Sequence, residues 1–137
     1  MRKILSAVAI VAVLASCSKK NDFIEVPMEQ TYANNFFKDA NLSVTFIELA
    51  NADGKVKIDF GTAYEKNITK IEVMGGDSPN YLCVISTSTN NGDVTQAKSY
   101  SVIDTNPKAQ TMYYAIRYTL TNGTEGYTST FKFVRGK

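Results

Sequence analysis

Histidine and tryptophan are both missing from the 137-residue chain; cysteine occurs twice and proline three times. Without an imidazole there is no Ser-His-Asp or Cys-His nucleophile and no histidine-liganded zinc. Two cysteines allow at most one disulfide. No loop carries Asp at alternating positions with a Gly and a closing Glu, as a calcium loop requires. Gly75-Gly76 is not followed by Lys-Ser/Thr and a helix, so no phosphate cradle is expected. No run shows helical periodicity of useful length. What is present is 44% hydrophobic residues, eight Tyr and seven Phe with 20% charged residues, the composition of one folded globular domain.

The chain opens MRKILSAVAIVAVLASCSKK. Arg2 and Lys3 precede an apolar run from Ile4 to Ala15. Twelve helical residues reach about 18 Å, short of a bilayer's hydrocarbon core. That layout is a secretory leader. Its end, Leu14-Ala15-Ser16-Cys17, resembles the lipobox of bacterial lipoproteins. The resemblance implies a signal peptide over 1–16, cleavage before Cys17 and diacylglycerol on its sulfur. An ordinary cleavable signal with an incidental cysteine is the alternative. Removing Arg2 and Lys3 from 15 cations leaves 13 against 13 acids, so the mature chain is neutral. With no basic run it has no electrostatic means of holding nucleic acid. Lipid on Cys17 would leave Cys83 unpaired, to be read as a small buried hydrophobe on a strand. Ser18, rather than Asp, follows Cys17, which by the same resemblance favours the outer membrane; periplasmic and surface-facing orientations both stay open.

Residues 17–40 read as a lipidated N-terminus and tether, with Pro27 and several Asn and Lys and no clear period. Gln30–Asp39 is compatible with a helical turn or two. Phe36-Phe37 reads as a lid over one end of the core rather than an exposed docking patch.

From 41 to 137 the period is two. Leu42, Val44 and Phe46 alternate with Ser43 and Thr45; Val56, Ile58 and Phe60 alternate with Lys57 and Asp59. Ile71/Val73, Tyr81–Ile85, Tyr100/Val102, Tyr114–Leu120 and Tyr127–Phe133 supply five more runs. β-branched and aromatic residues dominate them. Asn51–Gly54, Gly75–Asn80, Asn90–Asp93, Asn106-Pro107 and Asn122-Gly123 carry turn chemistry. The expectation is all-β: a seven-stranded antiparallel β-sandwich whose polar alternates face water.

The succession Ile71-Glu72-Val73, Gly76–Tyr81, Tyr100-Ser101-Val102-Ile103-Asp104, Tyr113–Tyr118, Asn122-Gly123 and Tyr127-Thr128-Ser129 resembles fibronectin type III-like, immunoglobulin-like modules of secreted Bacteroidetes proteins. By that resemblance Tyr100–Asp104 is strand E, the Tyr113–Tyr118 segment strand F, and Tyr127 opens strand G. Phe60 or Ile58 fills the volume of a strand B tryptophan. A tyrosine near the start of strand F, Tyr113 or Tyr114, bonds back to the E–F connection. The chain closes on Arg135-Gly136-Lys137 with no sorting domain, which agrees with lipid as the anchor.

Asp53, Asp77 and Asp93 fall in turns and read as solvated loop acids. Asp104 reads as a partner for nearby backbone amides ahead of Pro107. The functional expectation is therefore a non-enzymatic envelope lipoprotein, without metal or cofactor. It would be held to the membrane through Cys17 and serve as an interaction or assembly module. A glycan-binding accessory role is the alternative, with Tyr64, Tyr81 and Tyr127 as contact residues. A small hydrolase is less favoured. The protein or glycan partner is not identified by the sequence.

Overall fold

The computed structural model describes residues 23–26 and 31–135, with side chains from Phe36 onward. The leader expected over 1–16, and Cys17, lie outside the described residues. Ten strands are described and no helix: β1 (Phe23–Val26), β2 (Thr31–Lys38), β3 (Leu42–Ala52), β4 (Lys55–Glu65), β5 (Ile68–Ser78), β6 (Tyr81–Thr89), β7 (Lys98–Asp104), β8 (Thr111–Leu120), β9 (Glu125–Tyr127) and β10 (Thr130–Val134). They form two sheets, β1-β10-β8-β5-β6 with β9 also on β8, and β2-β3-β4-β7. All pairings are antiparallel except that of β1 with β10.

The all-β, two-sheet expectation holds, and the strand count differs from seven. The stretch read as a tether supplies β1 and β2, and Thr31–Lys38 is strand rather than helical turns. The last run is two pieces, β9 and β10, both pairing with β8. The turn expected over Asn51–Gly54 is present and tightens to Asp53-Gly54, since β3 runs on through Ala52. Both residues have positive φ, 51° and 77°, as a two-residue turn of matching twist requires.

The core lies between the sheets. Leu42, Val44, Ile47, Leu49, Val56, Ile58 and Phe60 of one meet Ile71, Val73, Tyr114, Ile116, Phe131 and Phe133 of the other. Phe36 and Phe37 pack against this core, as a lid should. Phe36 meets Phe131 edge-on at 5.7 Å between ring centroids, which places β2 over β10.

The alternation fails in two places. Register shifts in β3 between Ser43 and Phe46 put Ile47 and Leu49 into the core. Phe46, expected inward, lies on Gly61, where a Cβ would sit 2.3 Å from the ring. The polar alternates of β5 and β8 do not all face water either. Glu72 and Arg117 are 4% and 5% exposed, and Met74, Leu82 and Ala115 form a second small buried cluster. Cys83 also differs from its expectation: it is half-buried and disulfide-bonded.

Candidate functional site

β5 continues past its last apolar pair because Gly75 and Gly76 have no side chains. A Cβ on Gly75 would lie 2.3 Å from Ile85 Cδ1 and 2.8 Å from the Tyr114 ring; on Gly76 it would lie 2.2 Å from the Tyr81 carbonyl oxygen. The expected turn at Gly75–Asn80 therefore tightens to Pro79-Asn80, and the chain re-emerges at Tyr81, 58% exposed. In the other sheet β7 ends at Asp104 and a loop leads to β8. A cavity of about 270 Å³ opens where these ends meet. Gly75, Cys83, Ile85 and Met112 make its less exposed, apolar part; Asp77, Tyr81, Asn106 and Lys108 are exposed around it.

Asp104 also lines the cavity, 7% exposed. The Tyr114 hydroxyl donates to its Oδ2 at 2.9 Å, and the Asn106 backbone N–H donates to Oδ1 at 3.2 Å. Burial and the neighbouring Asp104 charge push the Tyr114 pKa far above its usual value, so the phenol stays a donor. Tyr114, one of the two tyrosines expected in this role, thus ties strand β8 back to the β7–β8 connection. Asp104 has the amide-bonding role expected of it.

Other acids are fastened elsewhere. Glu65 is fully buried and accepts from Thr62 Oγ1 at 2.8 Å, Tyr100 OH at 2.6 Å and the Asn90 side-chain amide. Its backbone pairs with Val94, so one residue holds β4, β7 and the β6–β7 connection together. Burial, then the Glu65 bond and charge, raises the Tyr100 pKa well beyond the normal range. Glu72 Oε1 takes Arg117 through Nε at 3.0 Å and a terminal nitrogen at 2.9 Å. Burial alone would lower the Arg117 pKa, but bonds to Tyr127 and Glu72 outweigh it and raise it. Asp39 accepts the Tyr118 hydroxyl and the backbone amides of Asn41 and Leu42.

The three tyrosines expected at a ligand surface do not converge. Tyr81 lines the cavity. Tyr64 is half-buried near the end of β4, its hydroxyl bonded to the Asp39 carbonyl, at the opposite end of the sheets from Asp104. Tyr127 sits beside Arg117 on β9 and its hydroxyl donates to Glu125 at 3.3 Å. The sequence reading missed Asn106, Lys108 and Met112 as cavity residues. Their juxtaposition with Asp77 depends on which strand ends share an edge, and no local pattern encodes that. Among the described residues no group of three or more Cys, Asp or Glu could hold a metal ion. No helix among them is long and apolar enough to cross a membrane. No protein-family model matches the chain, and no curated protein or solved structure matches it significantly.

Proposed function

We propose that this chain is a lipid-anchored envelope protein whose β-sandwich is a non-enzymatic interaction module, with its contact site at the cavity beneath Tyr81. The observation that carries the reading is the make-up of that cavity. Its less exposed part is apolar and small enough for one apolar side chain of a partner, while the hydrogen-bonding groups lie around it, an arrangement suited to protein recognition. Catalysis by paired carboxylates would need both acids addressed to a substrate. Asp104 instead accepts structural bonds on both oxygens. Glycan binding keeps one supporting feature, the exposed Tyr81 ring.

A fibronectin type III-like reading is supported by strand order. With β4, β7, β8 and β9/β10 taken as strands B, E, F and G, B neighbours E in one sheet and F lies between C (β5) and G in the other. The lipid reading rests on the leader and lipobox residues.

The test is affinity capture from the native envelope with the lipidated protein, its Tyr81→Ala/Lys108→Glu variant and its Cys17→Ala variant. A partner lost with the cavity variant, whose melting temperature is unchanged, supports the module. Capture indifferent to that variant refutes the site. Binding on a glycan array, abolished by Tyr81→Ala, would replace the protein-partner reading with the glycan one. Cys17→Ala should move the protein out of the membrane fraction; unchanged fractionation refutes the anchor.

A further inference from the structure

We infer that the cavity takes a basic side chain of the partner, arginine or lysine, with its cation on Asp104 and its methylene stem on the apolar floor. This inference rests on the contact site proposed above and names the chemistry of what enters it. The observation behind it is a buried carboxylate without a cation. Asp104 lines the cavity and is 7% exposed. Its two donors, the Tyr114 hydroxyl and the Asn106 backbone amide, are both neutral. Among the described residues it has no ion-pair partner. Arg135 is near enough for its charge to act on Tyr114, but its guanidinium is bonded to the carbonyls of Ala109 and Gly54. Lys108 is exposed at the rim and forms no ion pair with Asp104.

The chemistry of the occupant follows from what each kind of side chain would do to that carboxylate. A carboxylate offers about four acceptor positions, and Asp104 fills two. A wholly apolar side chain would strip water from the others and leave the charge buried and uncompensated, which is unfavourable. An acidic one would meet Asp104 and the exposed Asp77, whose side chain has no partner among the described residues. A basic side chain satisfies both halves of the cavity. Its stem lies on Gly75, Ile85 and Met112, and its head reaches the carboxylate. The apolar occupant proposed above is then the stem of a longer side chain. The Tyr81 ring, 58% exposed beside the opening, offers a face to the same cation. At about 270 Å³ the cavity falls below the roughly 300–1,000 Å³ of sites for drug-sized ligands, so one side chain fills it. Lys108 is left at the rim for an acid beside the inserted residue on the partner.

The test is an NMR titration of the isotope-labelled protein, isolated from the envelope in maltoside micelles. The probes are butylguanidinium, butylammonium and the neutral butylurea. Saturable shifts of the Gly75, Gly76, Tyr81 and Asn106 amides are expected with both cations, at millimolar dissociation constants. Butylurea should bind about tenfold more weakly, the difference a charge-assisted bond makes. Asp104→Asn should weaken both cations about tenfold and leave butylurea unchanged. Because Asp104 also fastens Tyr114, Asp77→Asn at an exposed position is the second variant; it should weaken the cations about twofold. Lys108→Glu alone should tighten them. Butylurea binding as well as the cations, or cation binding indifferent to both Asp variants, overturns the inference. In the capture assay excess butylguanidinium should release the partner and butylurea should not. A partner lost with the cavity variant yet unmoved by butylguanidinium overturns the basic side chain while the contact site stands. Probe binding with capture indifferent to the cavity variant removes the protein partner and leaves a free amine as the ligand, which also overturns it.

Discussion

Tyr114→Phe isolates one hydrogen bond at the cavity. The ring is fully buried between the sheets, and the substitution keeps its packing while deleting the donor to Asp104 Oδ2. Asp104 keeps only the Asn106 amide among these two donors. Hydrogen bonds to charged groups contribute about 1.5–3 kcal/mol. The side chain lines a cavity that water can enter, which moderates the loss, so about 2 kcal/mol is expected. For a domain near 100 residues that lowers the melting temperature by roughly 8–16 °C. Calorimetry or circular dichroism melts on the mature protein read it directly. Tyr81→Phe, at an exposed position, is the control and should fall within about 0.5 kcal/mol of wild type. In a double-mutant cycle, Asp104→Asn should cost less in the Tyr114→Phe background than alone. A Tyr114→Phe protein as stable as wild type, or a cycle with no coupling, would refute the account of this bond as the fastening of β8 to the β7–β8 connection.

Alkaline titration addresses three tyrosines together. Tyr100, Tyr114 and Tyr118 have folded pKa values raised above the free phenol's by burial and by Glu65, Asp104 and Asp39 respectively. A raised folded pKa gives stability that is complete below about pH 10 and declines above it as the unfolded chain ionises, by up to about 1.4 kcal/mol per pH unit for each tyrosine. Phenolate absorbance should therefore appear for these three only with unfolding, and early, reversible ionisation in the native state would contradict their networks. Arg117→Ala should destabilise by about 3–5 kcal/mol in urea melts, since it leaves the 4%-exposed Glu72 with Lys70, 3.4 Å away, as its remaining cation. Arg117→Met with Glu72→Leu should recover most of that loss. Gly76→Ala should force the β5–β6 hairpin apart, because the intruded atom is backbone; a loss above about 2 kcal/mol together with weakened partner capture is expected.

The strands with strict alternation were readable because period two has one physical cause, a sheet with one buried face. That logic recovered the core of β4 and β8, and turn chemistry placed the β3–β4 hairpin within Asn51–Gly54. It failed wherever another contact replaced simple burial. Phe46 was assigned inward because alternation carries no record of a bulge one residue earlier, nor of the bare Gly61 opposite it. Glu72 and Arg117 look like solvent-facing alternates, and each is buried only because the other is 45 positions away in sequence and adjacent in register. β1, Phe23–Val26, is too short to show a period, and β2, Thr31–Lys38, mixes polar and aromatic residues without one, so pairing with β10 and β3 defines them rather than their own pattern. The cavity was half legible. Tyr81 could be singled out as an aromatic, while its neighbours Asn106 and Lys108 are ordinary loop residues, and Asp77 an ordinary exposed acid of β5, until β6 and β7 are placed on the same edge.

The two sulfurs bring the sequence and the fold into direct competition. Cys83 is disulfide-bonded and lines the cavity, and the chain's one other cysteine is Cys17. A sulfur in a thioether to diacylglycerol cannot also sit in a disulfide. A chain acylated at the Cys17 thiol therefore cannot hold the disulfide, and its Cys83 stays a thiol. Mature protein extracted from the envelope should accordingly gain one alkyl group on iodoacetamide treatment without reductant, at Cys83, and show the diacylglyceryl mass on Cys17. Cys17→Ala cytosolic precursor gives the reference for full alkylation at Cys83. If the mature chain instead resists alkylation until reduced, with both cysteines recovered in one linked peptide, the disulfide wins. The lipid anchor on Cys17 then falls.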